Sequence, residues 1–149
     1  MKNITIYADG ACRGNQHEIN IGGWGCLLIF GEHQKELFGG EKNTTNNKME
    51  LLSAIKAFQE LNQPCQVDFY SDSNYVIKGM SEWINGWLKK NWVNAKREPI
   101  KNKELWLELL EASKPHKVKW NWVKGHANDE LNQRADELAN FGCDSILGE

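Results

Sequence analysis

Strict alternation of apolar and polar residues opens the chain and later gives way to helical stripes. This change of period limits the possible folds more than any other feature. Over residues 3–8, Ile4, Ile6 and Ala8 share one face, and Thr5, Tyr7 and Asp9 share the other. Gly10 and Gly14 then predict a turn region. Residues 22–30 resume as a nearly continuous apolar strand, and residues 34–38 predict a third strand after a turn at Gly31. A polar break over residues 39–47 precedes a helix at 49–61, with Leu51, Ile55, Phe58 and Leu61 on one stripe. A fourth strand is expected at 66–70, with short helical segments at 74–79 and 82–90 and a helix at 103–112. Residues 117–123 alternate again through Val118, Trp120 and Trp122, and a last helix is expected at 132–141. The order β-β-β-α-β-α-α-α-β-α predicts an α/β protein, a mixed sheet with helices packed against it.

The 149 residues suit a single domain, 1–149, and 40% hydrophobic with 26% charged residues excludes disorder and fibrous repeats. The longest apolar run, residues 26–30, is too short to span a membrane. The first residues carry no apolar signal region, so no membrane association and a cytoplasmic location are expected. Cys12, Cys26, Cys65 and Cys143 lack paired spacing, and free thiols are the expected state.

Four carboxylates stand out by position. Asp9 is expected to end the first strand and Asp72 the fourth. Glu50 falls in the first turn of the long helix, and Asp136 in the last helix. Strand ends are where α/β folds place ligand-binding groups. If the first and fourth strands are neighbours, Asp9 and Asp72 lie side by side, an unfavourable pairing unless a cation stands between them. A hard divalent cation such as Mg²⁺ takes such all-oxygen ligands. Local roles also fit each acid: Asn47 and Glu50 match a capping box, Asp72 can cap the helix after it, and Asp136 can be a solvated face residue.

The span 83–103 holds Lys89, Lys90, Lys96, Arg97, Lys101 and Lys103 against one acid, Glu98. It carries +5, so the remainder carries −7 of the overall −2. Trp83, Trp87 and Trp92 are interleaved with the cations, Trp83 and Trp87 one helical turn apart. Basic residues beside aromatics suit a nucleic-acid backbone. The same pattern also fits an amphipathic helix with its indoles turned inward.

Four motifs occur in order: Asp9-Gly10-Ala11-Cys12-Arg13-Gly14-Asn15, Thr44-Thr45-Asn46-Asn47-Lys48-Met49-Glu50-Leu51, Tyr70-Ser71-Asp72-Ser73-Asn74, and Trp122-Val123-Lys124-Gly125-His126-Ala127. With Arg134-Ala135-Asp136-Glu137-Leu138 they make a chain that resembles the ribonuclease H type 1 family, in its bacterial HI form. The resemblance implies a ribonuclease H-like fold, a five-stranded mixed β-sheet flanked by α-helices. It implies endonucleolytic hydrolysis of the RNA strand of RNA–DNA hybrids, leaving 5′-phosphate and 3′-hydroxyl ends. It also implies two Mg²⁺ per active site with substrate, Mn²⁺ being a substitute.

By the same resemblance, Asp9, Glu50, Asp72 and Asp136 are metal ligands and His126 is a mobile catalytic histidine. Cys12, Asn15, Asn46 and Asn47 meet the RNA strand, and Asn74 stands where the family more often has glutamine. Thr45 and Asn102 form a DNA-phosphate pocket, and Trp83, Trp87, Lys89, Lys90, Lys96 and Arg97 belong to a basic protrusion that grips the DNA strand. Two departures from the family are visible. Asn43 replaces a basic partner of the phosphate pocket, and residues 16–21 form a longer, proline-free connection. A monomer without an obligate protein partner is expected. The competing functions are a non-catalytic hybrid-binding module and a DNA nuclease of related fold.

Overall fold

Backbone pairing carries the first strand further than its side-chain pattern suggests. In the computed structural model, which describes residues 1–14, 20–125 and 129–147, strand β1 is Lys2–Arg13. There is no turn at Gly10. Residues 10–13 stay extended because each pairs with β2 (Ile21–Phe30), from Gly10↔Trp24 to Arg13↔Ile21. Strand β3 (His33–Lys42) returns antiparallel to β2 through Gly31, whose φ of 59° lies in the left-handed region that glycine adopts without strain.

Helix α1 is Asn46–Gln59 and starts ahead of the expected position, because Thr45 caps it. The Thr45 hydroxyl accepts from the Lys48 N–H at 3.1 Å. Strand β4 (Cys65–Ser71) runs parallel to β1, from Lys2↔Cys65 to Tyr7↔Tyr70. Helices α2 (Asn74–Lys78) and α3 (Ile84–Lys89) are continuous through one wide π turn at Gly79–Trp83. Helix α4 is Lys103–Ser113, and strand β5 (Lys117–Trp122) is parallel to β4. Helix α5, Glu130–Leu147, exceeds the expected span at both ends. The sheet has five strands in the order β3-β2-β1-β4-β5, antiparallel on one side of β1 and parallel on the other.

Ile4, Ile6 and Ala8 of β1 pack with Leu51, Ile55 and Phe58 of α1, and Trp106 and Leu109 of α4 complete that layer. Each fully buried apolar side chain contributes roughly 1.5–3 kcal/mol, so α1 is firmly seated on the sheet and Glu50 with it. On the other face, Tyr7 and Leu27 meet Ala135 of α5. Helix α5 lies directly on the sheet backbone there, since a Cβ on Gly23 would overlap the Ala139 carbonyl.

The aromatic residues of the basic span mount it on the body. Trp106 is fully buried and its ring lies 5.1 Å from Trp87, which in turn lies 5.7 Å from Trp92 and 6.0 Å from Trp83. Trp92 is a core residue. All four cysteines are free. Among the described residues, no helix is long and apolar enough to cross a membrane.

Candidate active site and nucleic-acid interface

Asp9 does not end its strand. It lies where the parallel pairing of β4 with β1 has stopped, at Tyr7↔Tyr70, while β1 continues against β2 through Asp9↔Gly25. The sheet therefore splits beside Asp9 and leaves room next to it. Asp72 directly follows Ser71, the last residue of β4, as expected. It does not cap α2. Ser73 does, its hydroxyl accepting from the Val76 N–H at 3.3 Å. The Asp72 backbone is held instead, its carbonyl accepting from the Trp122 indole N–H at 3.1 Å.

Glu50 is not part of a capping box and lies past the first turn, because the cap is Thr45 and α1 begins at Asn46. Its side chain is buried against the end of the sheet. Gly10 permits this approach, since a Cβ there would come within 2.5 Å of the Glu50 backbone nitrogen. Asp9, Glu50 and Asp72 each offer a carboxylate oxygen, and these atoms lie within 4.8 Å of one another. Asp9 and Glu50 are buried, and Glu50 Oε2 has no hydrogen-bond partner among the described residues. Asp136, exposed on α5, stands outside this triad but close enough to act on the Asp9 carboxyl.

The electrostatics record the crowding. Burial, then the charge of Asp72, then Asp136 push the Asp9 carboxyl up to about 8, while the interaction with Glu50 works the other way. Glu50 is raised well above the usual carboxylate range, first by burial and then by the charges of Asp9 and Asp72. A buried acid cluster with an unpartnered oxygen and all-oxygen donors is suited to a divalent metal ion.

The other expected site residues divide into three groups. Asn15 and His126 lie outside the described residues, as do residues 16–19 of the longer connection. Gly125, immediately before His126, is close to Asp72, with a Cβ placed there 3.2 Å from Oδ2. Cys12, Thr45, Asn46, Asn47 and Asn74 lie on, or at the start of, the elements that carry or follow the triad. Cys12 is on β1 beyond Asp9, its sulfur 3.9 Å from the Thr44 carbonyl oxygen. Asn46 and Asn47 open α1 and Asn74 opens α2, all three exposed.

Asn102 takes a left-handed conformation (φ 61°) before α4 and donates to the Tyr75 hydroxyl at 3.1 Å, where the Trp106 indole N–H also donates. Lys89, Lys90, Lys96 and Arg97 are exposed, and none forms an ion pair among the described residues. Their loop is ordered by Asn94, whose side-chain oxygen accepts from the Lys96 and Glu98 N–H groups at 2.9 and 3.0 Å. Trp83 is exposed and Trp87 half-buried.

Two neighbours of the site were not foreseen. Trp120 packs on Phe58 and Phe69, whereas Trp122 is 49% exposed at the end of β5, beside Asp72. Asn20, directly ahead of β2, is bonded to the segment that leads into α1. Neither role has a sequence signal, because alternation does not report where covering helices stop, nor which backbone a side-chain amide will meet.

A five-stranded mixed sheet with an acid cluster suited to a divalent cation at the split between β1 and β4 is the arrangement of a class of nucleases. The family described as RNase H matches residues 1–144. The chain is 53% identical over 146 residues to a ribonuclease H of Cupriavidus metallidurans, covering 98% of this chain and 99% of that protein. The crystal structure of LC9-RNase H1, described as a type 1 RNase H with the type 2 active-site motif, superposes with a TM-score of 0.87 at 34% identity, covering 97% of this chain and 73% of that one. LC11-RNase H1, described in complex with RNA/DNA hybrid, shares the fold with a TM-score of 0.67 at 22% identity, covering 97% and 99%. The chain belongs to the ribonuclease H family, and its activity is that of a nuclease.

Proposed function

We propose that this chain hydrolyses the RNA strand of RNA–DNA hybrids internally, leaving 5′-phosphate and 3′-hydroxyl ends, with Mg²⁺ as its metal and Mn²⁺ as a substitute. The convergence of Asp9, Glu50 and Asp72 within 4.8 Å carries this reading. These three and Asp136 would hold two cations with substrate present. When bound, such a pair activates water, holds the scissile phosphate and offsets charge on the leaving oxygen.

The protein supplies the rest. Asp9, standing between the other acids, orients the site from a strand that cannot shift without breaking the sheet. The exposed amides of Asn46, Asn47 and Asn74, with Asn15, can both donate to and accept from a ribose 2′-hydroxyl, which the DNA strand lacks. Cys12 offers its backbone to the same strand. Thr45 and Asn102 face the DNA strand. Trp83, Trp87, Lys89, Lys90, Lys96 and Arg97 grip the DNA backbone. The His126 imidazole would carry a proton to or from the reacting phosphate. We take the chain to act as a single-domain monomer in the cytoplasm, without an obligate protein partner.

The test is a gel with labelled RNA–DNA hybrid, duplex RNA and duplex DNA, each with Mg²⁺ or EDTA. Cleavage of the hybrid alone, dependent on metal and absent in Asp9→Asn, is the expected result. Equal cleavage of duplex DNA, or hybrid binding without cleavage under Mg²⁺ and Mn²⁺, would overturn the assignment.

A further inference from the structure

We propose that Asn20 is a positioning residue for recognition of the RNA strand, clamping the turn that presents Asn46 and Asn47. This rests on the function proposed above and adds to it the device that holds its ribose-reading amides in place.

The clamp consists of three hydrogen bonds. Asn20 Oδ1 accepts from the Thr44 N–H at 2.8 Å, and Asn20 Nδ2 donates to the Thr44 carbonyl at 2.8 Å. The Asn20 backbone carbonyl accepts from the Asn43 N–H at 3.0 Å. One carboxamide thus satisfies both backbone groups of a single residue, as a neighbouring strand would. Thr44 is buried, and the start of β2 approaches it so closely that a Cβ on Gly22 would overlap its methyl group.

Asn43 sits at φ 55°, a left-handed conformation that asparagine tolerates better than most residues, and turns the chain into Thr44. Directly after Thr44, the Thr45 hydroxyl is committed to capping α1, so the helix start follows Thr44 as a unit. The side chains of Asn46 and Asn47 make no hydrogen bond among the described residues and are exposed. Their aim is therefore set by the backbone beneath them, which Asn20 fixes. The residue type is specific. Aspartate keeps the acceptor for the Thr44 N–H but faces the Thr44 carbonyl with negative charge, and alanine reaches neither group.

The experiment compares wild type, Asn20→Ala and Asn20→Asp on two substrates, an RNA–DNA hybrid and the same hybrid with one 2′-deoxynucleotide beside the cleaved linkage. Deuterium exchange at the Thr44 amide is followed in parallel. Asn20→Ala should lower kcat/KM on the full hybrid about fivefold to tenfold, mainly through KM. Its penalty for the missing 2′-hydroxyl should shrink toward unity, because the contact is already lost. Asn20→Asp should fall between, with Thr44 still protected from exchange, whereas Asn20→Ala should expose it. A role in stability alone would lower the melting temperature and leave the deoxy penalty unchanged, which would overturn the proposal. Fast Thr44 exchange in wild type would overturn it too. Should Asn20→Ala not fold, Asn20→Asp decides by its deoxy penalty. Should wild type cleave no hybrid, the proposed function falls, and Thr44 exchange still decides whether the clamp exists.

Discussion

The acid pocket and the basic projection are opposite electrostatic solutions in one chain. In the pocket, like charges are forced together from β1, α1 and the end of β4, in a place too dry to ionise fully without a cation. On the projection, cations are spread over exposed surface and leave the folded state nearly indifferent to them, while a cluster of tilted and edge-on indoles bears the mechanical load. The comparison teaches where stability and function oppose each other. Removing a charge from the pocket should relax the fold and end the chemistry, whereas removing charges from the projection should weaken substrate capture and leave the fold unmoved.

Asp9→Asn is the sharpest way to break that contrast. Cleavage should fall by at least about a hundredfold, while the metal-free melting temperature should rise, because folding no longer has to bury or protonate that carboxylate. A lower metal-free melting temperature would mean that the cluster is not strained when empty.

Replacing Lys89, Lys90, Lys96 and Arg97 with alanine comes next. The slope of log affinity against log salt should flatten by about 3 if each cation meets a phosphate. Thermal stability should stay within about 0.5 kcal/mol. An unchanged slope would show that these residues only solvate the surface. Trp87→Ala tests the mount of the same projection. It should destabilise the protein by about 2–3 kcal/mol in a denaturant melt, at the low end for an indole because Trp87 is half-buried. It should also weaken hybrid binding without touching the salt slope.

The remaining test is of pH dependence. The Asp9 carboxyl sits near 8 in the folded chain against an ordinary value of 3.8, so between those values the folded state binds more protons than the unfolded one. Metal-free stability should therefore be greatest at the acid end of that window, fall as pH rises, and level off above about 8. Saturating Mg²⁺ should raise the melting temperature and remove this decline, since it replaces the proton as counter-charge. Melts at several pH values with EDTA or Mg²⁺ check both signs.

Local pattern was a good guide where one element settles the matter. The stripe Leu51, Ile55, Phe58 does line the buried side of α1, and Ile4, Ile6 and Ala8 do share a face. It failed where two hydrogen-bonding solutions compete within a few residues. The Asn47–Glu50 spacing fits a capping box, yet Thr45 captures the helix start and frees Glu50 for the pocket. Gly10 reads as a turn, but it is the close approach of α1 to a continuing strand that requires it. Trp92 could be surface or core by sequence, and only its tilted contact with Trp87 decides it.

From sequence alone, residue types and periods determined the class of fold, the four acids worth watching and the segregation of positive charge into one span. These follow from short-range geometry, in which the side-chain repeat of a strand or helix is a property of the backbone itself. Tertiary structure alone decided that Asp9 meets Glu50 and Asp72, that Trp122 lies open beside them, and that Asn20 reaches Thr44. Those outcomes depend on strand order and register, which bring together residues tens of positions apart, and no local preference encodes such a distance.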